Sequence, residues 1–415
     1  MILSKSKRSF KSLISASAFF LGASQLLSIL MGLLTTVIWT RTVNPEIFGQ
    51  YKVILSIISF VGTFTFLGAG QSALMSASSG ADGNFPILAK KKLLFNLFGS
   101  FILILFAVYF SFVSPKPSIS ISLIIGSLIY PIYNLSDIWY SWLNGKKRFR
   151  SLASQRSLTA FIALLSSVLF CFTDKTSVII SIVIYMVLIS IQNIFVFSDC
   201  HRTTINSIVD KASLRFGSKA SFAFLFNSLL SLDYVLFNRI FSADQVALYA
   251  VVLVIPEILK TILKVLGQLV SPKVFSGSSI TLLWHDLSRP FFKLLIIYVI
   301  VGIVGFYLIP LLIPLFFSNT YLAAGGYAKW LWLVTAICGP SSFLGSALLS
   351  TKNSIYLYLP NIGYPCILIA LYLMFVNYGV SGMIWAKSLS TILLSAFYIC
   401  CFTFHLNREA NNASS

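Results

Sequence analysis

Apolar runs long enough to cross a lipid bilayer recur from one end of this chain to the other, and that recurrence excludes most folds. A spanning helix needs about 20 predominantly apolar residues. Such runs lie near 14–38, 47–70, 93–113, 118–143, 152–172, 176–198, 218–238, 246–270, 291–315, 328–350, 355–376 and 380–404. About twelve transmembrane helices are therefore expected. Only 10% of the 415 residues are charged, against roughly 25% in an ordinary soluble domain. Stretches such as FILILFAVYFSFV are apolar at every position, whereas strands of a membrane β-barrel alternate. The expected class is an all-α membrane protein.

The net charge of +19 raises the question of nucleic acid, and its distribution answers it. With an internal N-terminus, the tails and every second loop hold twenty Lys and Arg; the intervening loops hold Arg41, Lys116, Lys175 and Arg239. That asymmetry is the positive-inside rule, which places both termini in the cytoplasm and requires an even number of spans. Lys5, Lys7, Arg8 and Lys11 precede a first apolar run far longer than a secretory core, so it is expected to remain as a span. Trp39 is expected to mark the outer boundary of the first helix, and Trp139, Tyr140 and Trp142 the inner boundary of the fourth. The six cysteines show no metal or C-x-x-C spacing, and no metal or cofactor is expected.

Residues 40–55, TRTVNPEIFGQYKVIL, align without a gap on 238–253, NRIFSADQVALYAVVL, after a shift of 198. Arg41 meets Arg239, Glu46 meets Asp244, Tyr51 meets Tyr249, Val53 meets Val251 and Leu55 meets Leu253. Both stretches fall at the turn between the first and second helix of a six-helix half. An even number of spans separates them, so the halves are expected to share one orientation about a pseudo-two-fold axis along the membrane normal. The expected division is 1–198, a polar cytoplasmic linker 199–219, and 220–415. Paired bundles around a central cleft suggest a carrier that rocks. Pro131, Pro256, Pro310, Pro314, Pro340 and Pro365 lie inside spans, where they introduce kinks.

Charges inside a membrane cost about 2.5–3.5 kcal/mol at the centre even on the mildest scale, so the few present deserve a reason. They are Lys52, Asp137, Arg156, Asp233, Glu257, Lys260, Lys264, Lys329 and Lys387. Asp137, Arg156 and Lys329 are near helix ends and can snorkel to the interface. Glu257 falls about 16 Å into the eighth helix at the helical rise, and Glu257, Lys260 and Lys264 share one face. A self-contained Glu257–Lys260 ion pair and a functional stripe are both open on that spacing. Lys387 is deep in the twelfth helix, and Lys52 is near enough to the outer end of the second to snorkel. Asp233 could pair with Arg239 or a lysine, or carry a proton. Glu46 and Asp244 suit the first turn of the helices they begin.

A cleft with more lysines than carboxylates suits an anion, since lysine acts as a point charge toward phosphate. Apolar walls suit a cargo with a hydrocarbon tail, which points to a phospholipid-like or polyprenyl-phosphate-linked molecule. Candidate cargo contacts are Lys52, Lys260, Lys264, Lys387, Lys329 and Arg41; Asp233 and Glu257 are candidates for proton or ion coupling.

The stretch ASQLLSILMGLLTTVIWTRTVNPEIFGQYKVILSIISFVGTFTFLGAG resembles the N-terminal block of bacterial O-antigen and exopolysaccharide flippases. SLDYVLFNRIFSADQVALYAVVLVIPEILKTILKVLGQLVSPKVF is similar to their seventh and eighth helices, with Asp233 before the turn, Tyr249 after it and Pro272 at the inner end. The resemblance spans the chain in length and topology and implies a member of the multidrug, oligosaccharidyl-lipid and polysaccharide exporter superfamily. It implies a cytoplasmic-membrane protein that moves an undecaprenyl-diphosphate-linked oligosaccharide outward, with a polysaccharide polymerase and chain-length machinery as partners. Carrying two negative charges out of a negative-inside cell gains up to about 4.6 kcal/mol at 100 mV.

Two other functions use the same spans. A multidrug antiporter of the superfamily is disfavoured by the scarcity of carboxylates in the expected cleft. A membrane polysaccharide polymerase or ligase would place catalytic groups in a large external loop, but the longest, FFSNTYLAAGGY, has no acid, base or histidine. His201, His285 and His405 fall on the expected cytoplasmic side. No enzymatic activity is expected.

Overall fold

The computed structural model describes residues 2–172, 178–227, 233–274, 280–348 and 355–414; side chains of 2–19, 263–274, 280–283 and some others are not among those described. Every regular element among the described residues is helical. The chain divides into two compact units, Met1–Asp244 and Gln245–Ser415.

The first unit contains α1 (Ile2–Thr42), α2 (Pro45–Val61), α3 (Ala69–Ser79), α4 (Asn84–Phe112) and α5 (Pro117–Tyr133). It continues with α6 (Ser136–Gly145), α7 (Phe149–Cys171), α8 (Ile179–Arg202), α9 (Lys211–Asn227) and α10 (Asp233–Ile240). The second is built from α11 (Ala243–Val274), α12 (Ile280–Phe316), α13 (Leu322–Cys338), α14 (Ser341–Leu348), α15 (Ile355–Tyr358), α16 (Tyr364–Phe375) and α17 (Gly379–Ser414). In the first unit α1 packs on α7, α4 on α5, α3 on α6, and α8 on both α5 and α7. In the second, α17 packs against α13, α14 and α16, and α12 against α13.

Nine helical segments among the described residues are long and apolar enough to cross a membrane. The last, Leu359–Arg408, covers most of the expected segments at 355–376 and 380–404, and Gly379 at φ 65° separates α16 from α17 within it. The expected segments at 218–238 and 328–350 are not among the nine. The former falls on α9 and α10 with 228–232 outside the described residues; the latter splits into α13 and α14. Pro340 supplies the reason for the split, since it lacks an N–H and disfavours helix at the residue before it.

The internal repeat has a structural counterpart. α1 ends at Thr42 and α2 begins at Pro45; α10 ends at Ile240 and α11 begins at Ala243, the same boundaries after the shift. Even the closing bond repeats, Val43 N–H to Trp39 O at 3.2 Å and Phe241 N–H to Phe237 O at 2.7 Å. Three of the four aromatic markers are buried in the first unit. Trp39 is 1% exposed, stacked on Tyr51 and Phe170, and donates from Nε1 to Ser167 Oγ at 3.0 Å. Trp139 and Trp142 are buried too.

Two of the expected spans are broken helices. The span at 47–70 is α2, a short turn over Gly62–Phe64, then α3, with Phe66 in the left-handed region at φ 59°. The span at 118–143 is α5 and α6, separated just after Pro131. Carbonyls freed at such a break must be bonded inside the protein. Asn193 Nδ2 donates to Ile132 O (3.0 Å) and Tyr133 O (2.7 Å), and Asn96 Nδ2 donates to Pro131 O (2.8 Å). Asn134 Nδ2 then joins the two breaks by donating to Thr65 Oγ1 at 2.6 Å. Nearby, Gly68 and Gly217 let α3 and α9 cross so closely that a Cβ on either would overlap the other's backbone.

The polar segment 203–210 is pinned to the α3–α4 turn. Asp82 pairs with Lys146 and accepts from Ile205 N at 2.8 Å, while Asn84 exchanges bonds with Asp210, Nδ2 to O at 2.9 Å and N to Oδ1 at 3.1 Å. Asp210, outside the spans, is held below the usual carboxylate range by the Ser213 hydroxyl and then by the Ala212 N–H.

Candidate functional site

Sequence spacing places Tyr249, Glu257 and Lys260 on one face of α11, and the second unit gathers partners there from two more helices. Lys260 Nζ donates to Glu257 Oε1 at 2.8 Å, so the ion pair left open by the i, i+3 spacing is present. The pair is not sealed: its side chains are 33% and 51% exposed. Lys387 of α17 places Nζ 3.4 Å from Tyr249 Oη and 5.6 Å from the centre of its ring. Tyr249 Oη in turn shares a 3.0 Å hydrogen bond with Tyr372 Oη of α16. Glu257 feels both Lys260 and Lys387 electrostatically. Two cations therefore act on the carboxylate of Glu257, backed by two tyrosines.

The other candidates are dispersed. Lys329 of α13 lies 5.0 Å from the Phe306 ring centre and 5.8 Å from that of Trp330. Lys52 of α2 lies 5.2 Å over Phe48, and Arg41 is exposed at the end of α1. Such aromatic faces attract a cation without cancelling its charge. Asp233 is 4% exposed as the first residue of α10, with Oδ1 2.9 Å from Tyr234 N. The side chains of Arg239 and Lys264 are outside the described residues.

The first unit holds polar groups whose partners the sequence did not reveal. Lys92, counted there with loop cations, is 1% exposed on α4 and pairs with Asp137 Oδ2 at 3.0 Å. Asn96 is one turn further on α4 and is bonded to Asn134, whose amide donates to Asn96 Oδ1 at 3.2 Å. Arg156 of α7 does not simply snorkel: it donates to Gln25 Oε1 of α1, and its guanidinium carbon lies 5.0 Å over the Tyr140 ring. Gln192 of α8 donates to Gln155 O at 2.9 Å and accepts from Thr159 Oγ1 at 3.0 Å. Asp137 and Arg156 stood out as charges within spans; for the amides the signals were the doublets Gln155–Arg156 and Gln192–Asn193 within apolar helices. Among the described residues no group of His, Cys, Asp and Glu is arranged to hold a metal ion.

The family described as polysaccharide biosynthesis protein matches residues 14–271, more than half of the chain. No curated protein is a match by sequence. Among solved structures, a MATE transporter in complex with MaD5 shares the fold with a TM-score of 0.70 at 11% identity, covering 96% of each chain. A point mutant of the Vibrio cholerae MATE transporter VcmN gives 0.67 at 12% identity, covering 97% of this chain and 98% of that one. A MOP superfamily transporter from Pyrococcus furiosus gives 0.65 at 11% identity, covering 94% and 96%. At such identities the likeness concerns the fold alone.

Proposed function

Because the chain belongs to the family of polysaccharide biosynthesis proteins, we propose that it is a flippase for an undecaprenyl-diphosphate-linked oligosaccharide, such as an O-antigen repeat unit. It carries that cargo from the cytoplasmic to the periplasmic leaflet of a bacterial inner membrane by alternating access and catalyses no bond-making step. Both termini are cytoplasmic on this reading, and the repeat organises the chain as 1–198 and 220–415 with 199–219 as linker. The observation that carries the reading is the positive face on α11 and α17, where Lys260 and Lys387 act on the single carboxylate of Glu257. A diphosphate entering there meets the ammonium groups of Lys260 and Lys387. Lys52, Lys264, Lys329 and Arg41 extend the attraction along the route, and Asp233 and Glu257 are the groups that would link transport to a proton or ion.

Deleting the gene and extracting lipid-linked sugars tests this. Complete repeat units should accumulate on the cytoplasmic side. A pile-up of single units in the periplasmic leaflet would instead assign the protein to polymerisation. The likeness in fold to MATE transporters supports a second reading, export of drugs. It requires that the deletion strain become drug-sensitive while its surface polysaccharide stays normal.

A further inference from the structure

Arg156 sits on the face of α7 turned away from lipid. The large exposed side chains of that helix, Leu158, Phe161 and Leu169, form one stripe, and Arg156, two residues before Leu158 and five before Phe161, projects roughly opposite to it. Gln25 stands in the same relation to Leu26, Leu27, Leu30 and Leu34, the exposed stripe of α1. Both side chains are nevertheless only partly buried. A polar side chain that is accessible yet turned from the acyl chains can be reached by a polar ligand.

The local structure holds the guanidinium ready. Gln25 Oε1 accepts one N–H and Tyr140 backs the planar face. Gln192 fastens α8 to the turn of α7 that carries Arg156, through Gln155 and Thr159. Among the described residues, no carboxylate pairs with Arg156. A guanidinium has five N–H donors in a rigid fork, and here one is engaged by a neutral amide. A buried acid would have been the cheaper way to neutralise it had the role been structural, as Asp137 does for Lys92.

Depth selects the class of anion. Arg156 is seven residues from Phe149, the start of α7, or about 10 Å along the axis. That is a level an anionic headgroup reaches while its hydrocarbon tail remains among acyl chains. We propose that Arg156, oriented by Gln25 and stacked on Tyr140, is an oxyanion contact of the first unit that receives the diphosphate of the lipid-linked cargo. The inference rests on the flippase reading and adds a site to it: a forked, bidentate contact suited to phosphate oxygens, where the second unit offers lysine point charges.

The test is native mass spectrometry of the full chain with two probes, undecaprenyl diphosphate and phosphatidylglycerol. The wild-type chain should retain undecaprenyl diphosphate in preference. Arg156→Gln should weaken that binding about tenfold or more, the loss expected for a charged hydrogen-bonded contact. Arg156→Lys should recover part of it. Gln25→Glu places a carboxylate against the guanidinium, so it should cost as much binding as Arg156→Gln without lowering the melting temperature; a purely structural arginine predicts unchanged binding in this variant. Wild-type affinity in both Arg156→Gln and Gln25→Glu would overturn the proposal, as would an equal loss of phosphatidylglycerol, which marks an ordinary lipid contact. If those two variants bind normally while Lys387→Ala does not, the inference falls and the flippase reading stands. A wild-type chain that ignores undecaprenyl diphosphate would remove both.

Discussion

Lys92 on α4 and Lys387 on α17 are both lysines within long apolar helices, and their surroundings are opposite in kind. Lys92 is 1% exposed and bonded at 3.0 Å to Asp137, at the level where α5 gives way to α6. Lys387 is only half-buried, facing a tyrosine hydroxyl and ring, and shares the field of Glu257 with Lys260. A lysine neutralised in a closed contact ties helices together and offers nothing to a ligand. A lysine lodged against an aromatic surface keeps its attraction for an anion. Lys92 thus stands as a lysine that holds helices together, and on the proposed flippase reading Lys387 stands as one suited to an anionic cargo.

The largest effect should come from breaking the closed pair. Lys92→Ala leaves Asp137, whose side chain is 36% exposed, without its cation, at a cost of about 2 kcal/mol, below the range for a fully buried pair. Thermal unfolding in detergent measures this. The double variant Lys92→Met with Asp137→Leu should recover most of the loss; if it does not, the pair has a role beyond neutralisation.

Lys387→Ala reverses the pattern: the amount and melting temperature of the protein should stay near wild type while surface polysaccharide falls at least about tenfold, the order of one charge-assisted contact. Unchanged polysaccharide would place Lys387 with the structural lysines. A smaller, diagnostic effect is expected at the α11 pair. Lys260→Ala should reduce flipping by exposing the negative charge of Glu257 beside Lys387, and adding Glu257→Gln should restore part of it. If the double variant is no better than the single, Lys260 acts on cargo directly.

How far these roles could be read in advance depended on where the partner lay. The turns at 43–44 and 241–242 were legible because the repeat and the helix boundaries are both local, and the structure places them in register. The α11 stripe was legible for the same reason, since Glu257 and Lys260 are three residues apart. Lys92 was not: its partner is 45 residues away, and a lysine following Lys90 and Lys91 reads as part of a loop. The break at 62–68 was equally hidden, and Pro131 announced a kink before 134–135 but not how the freed backbone is bonded. Both breaks depend on Asn96, Asn134 and Asn193 arriving from separate helices to bond the loosened backbone. Arg156 is intermediate, because its distance from the helix end suggested snorkelling, and only α1 and α6 reveal what it meets.

The smallest expected effect is at the solvent-exposed end of the first unit. Asp210 has a lowered carboxyl pKa, so its contribution to stability is complete above about pH 4 and is lost as pH falls through the lowered value. Asp210→Asn should be slightly less stable than wild type at neutral pH, with the gap closing in acid. A gap independent of pH would mean that the bonds to Ser213 and Ala212 do not need the charge.

The central claim, that this protein carries a lipid-linked sugar across the membrane, is tested most directly by asking which leaflet the sugar occupies. Spheroplasts of a deletion strain carrying either the wild-type gene or Lys387→Ala can be treated with a membrane-impermeant oxidant of sugar diols, and the lipid-linked fraction then analysed. The account predicts oxidised lipid-linked oligosaccharide with the wild-type gene and protected oligosaccharide with the empty deletion strain or the variant. Equal oxidation in all three would contradict it.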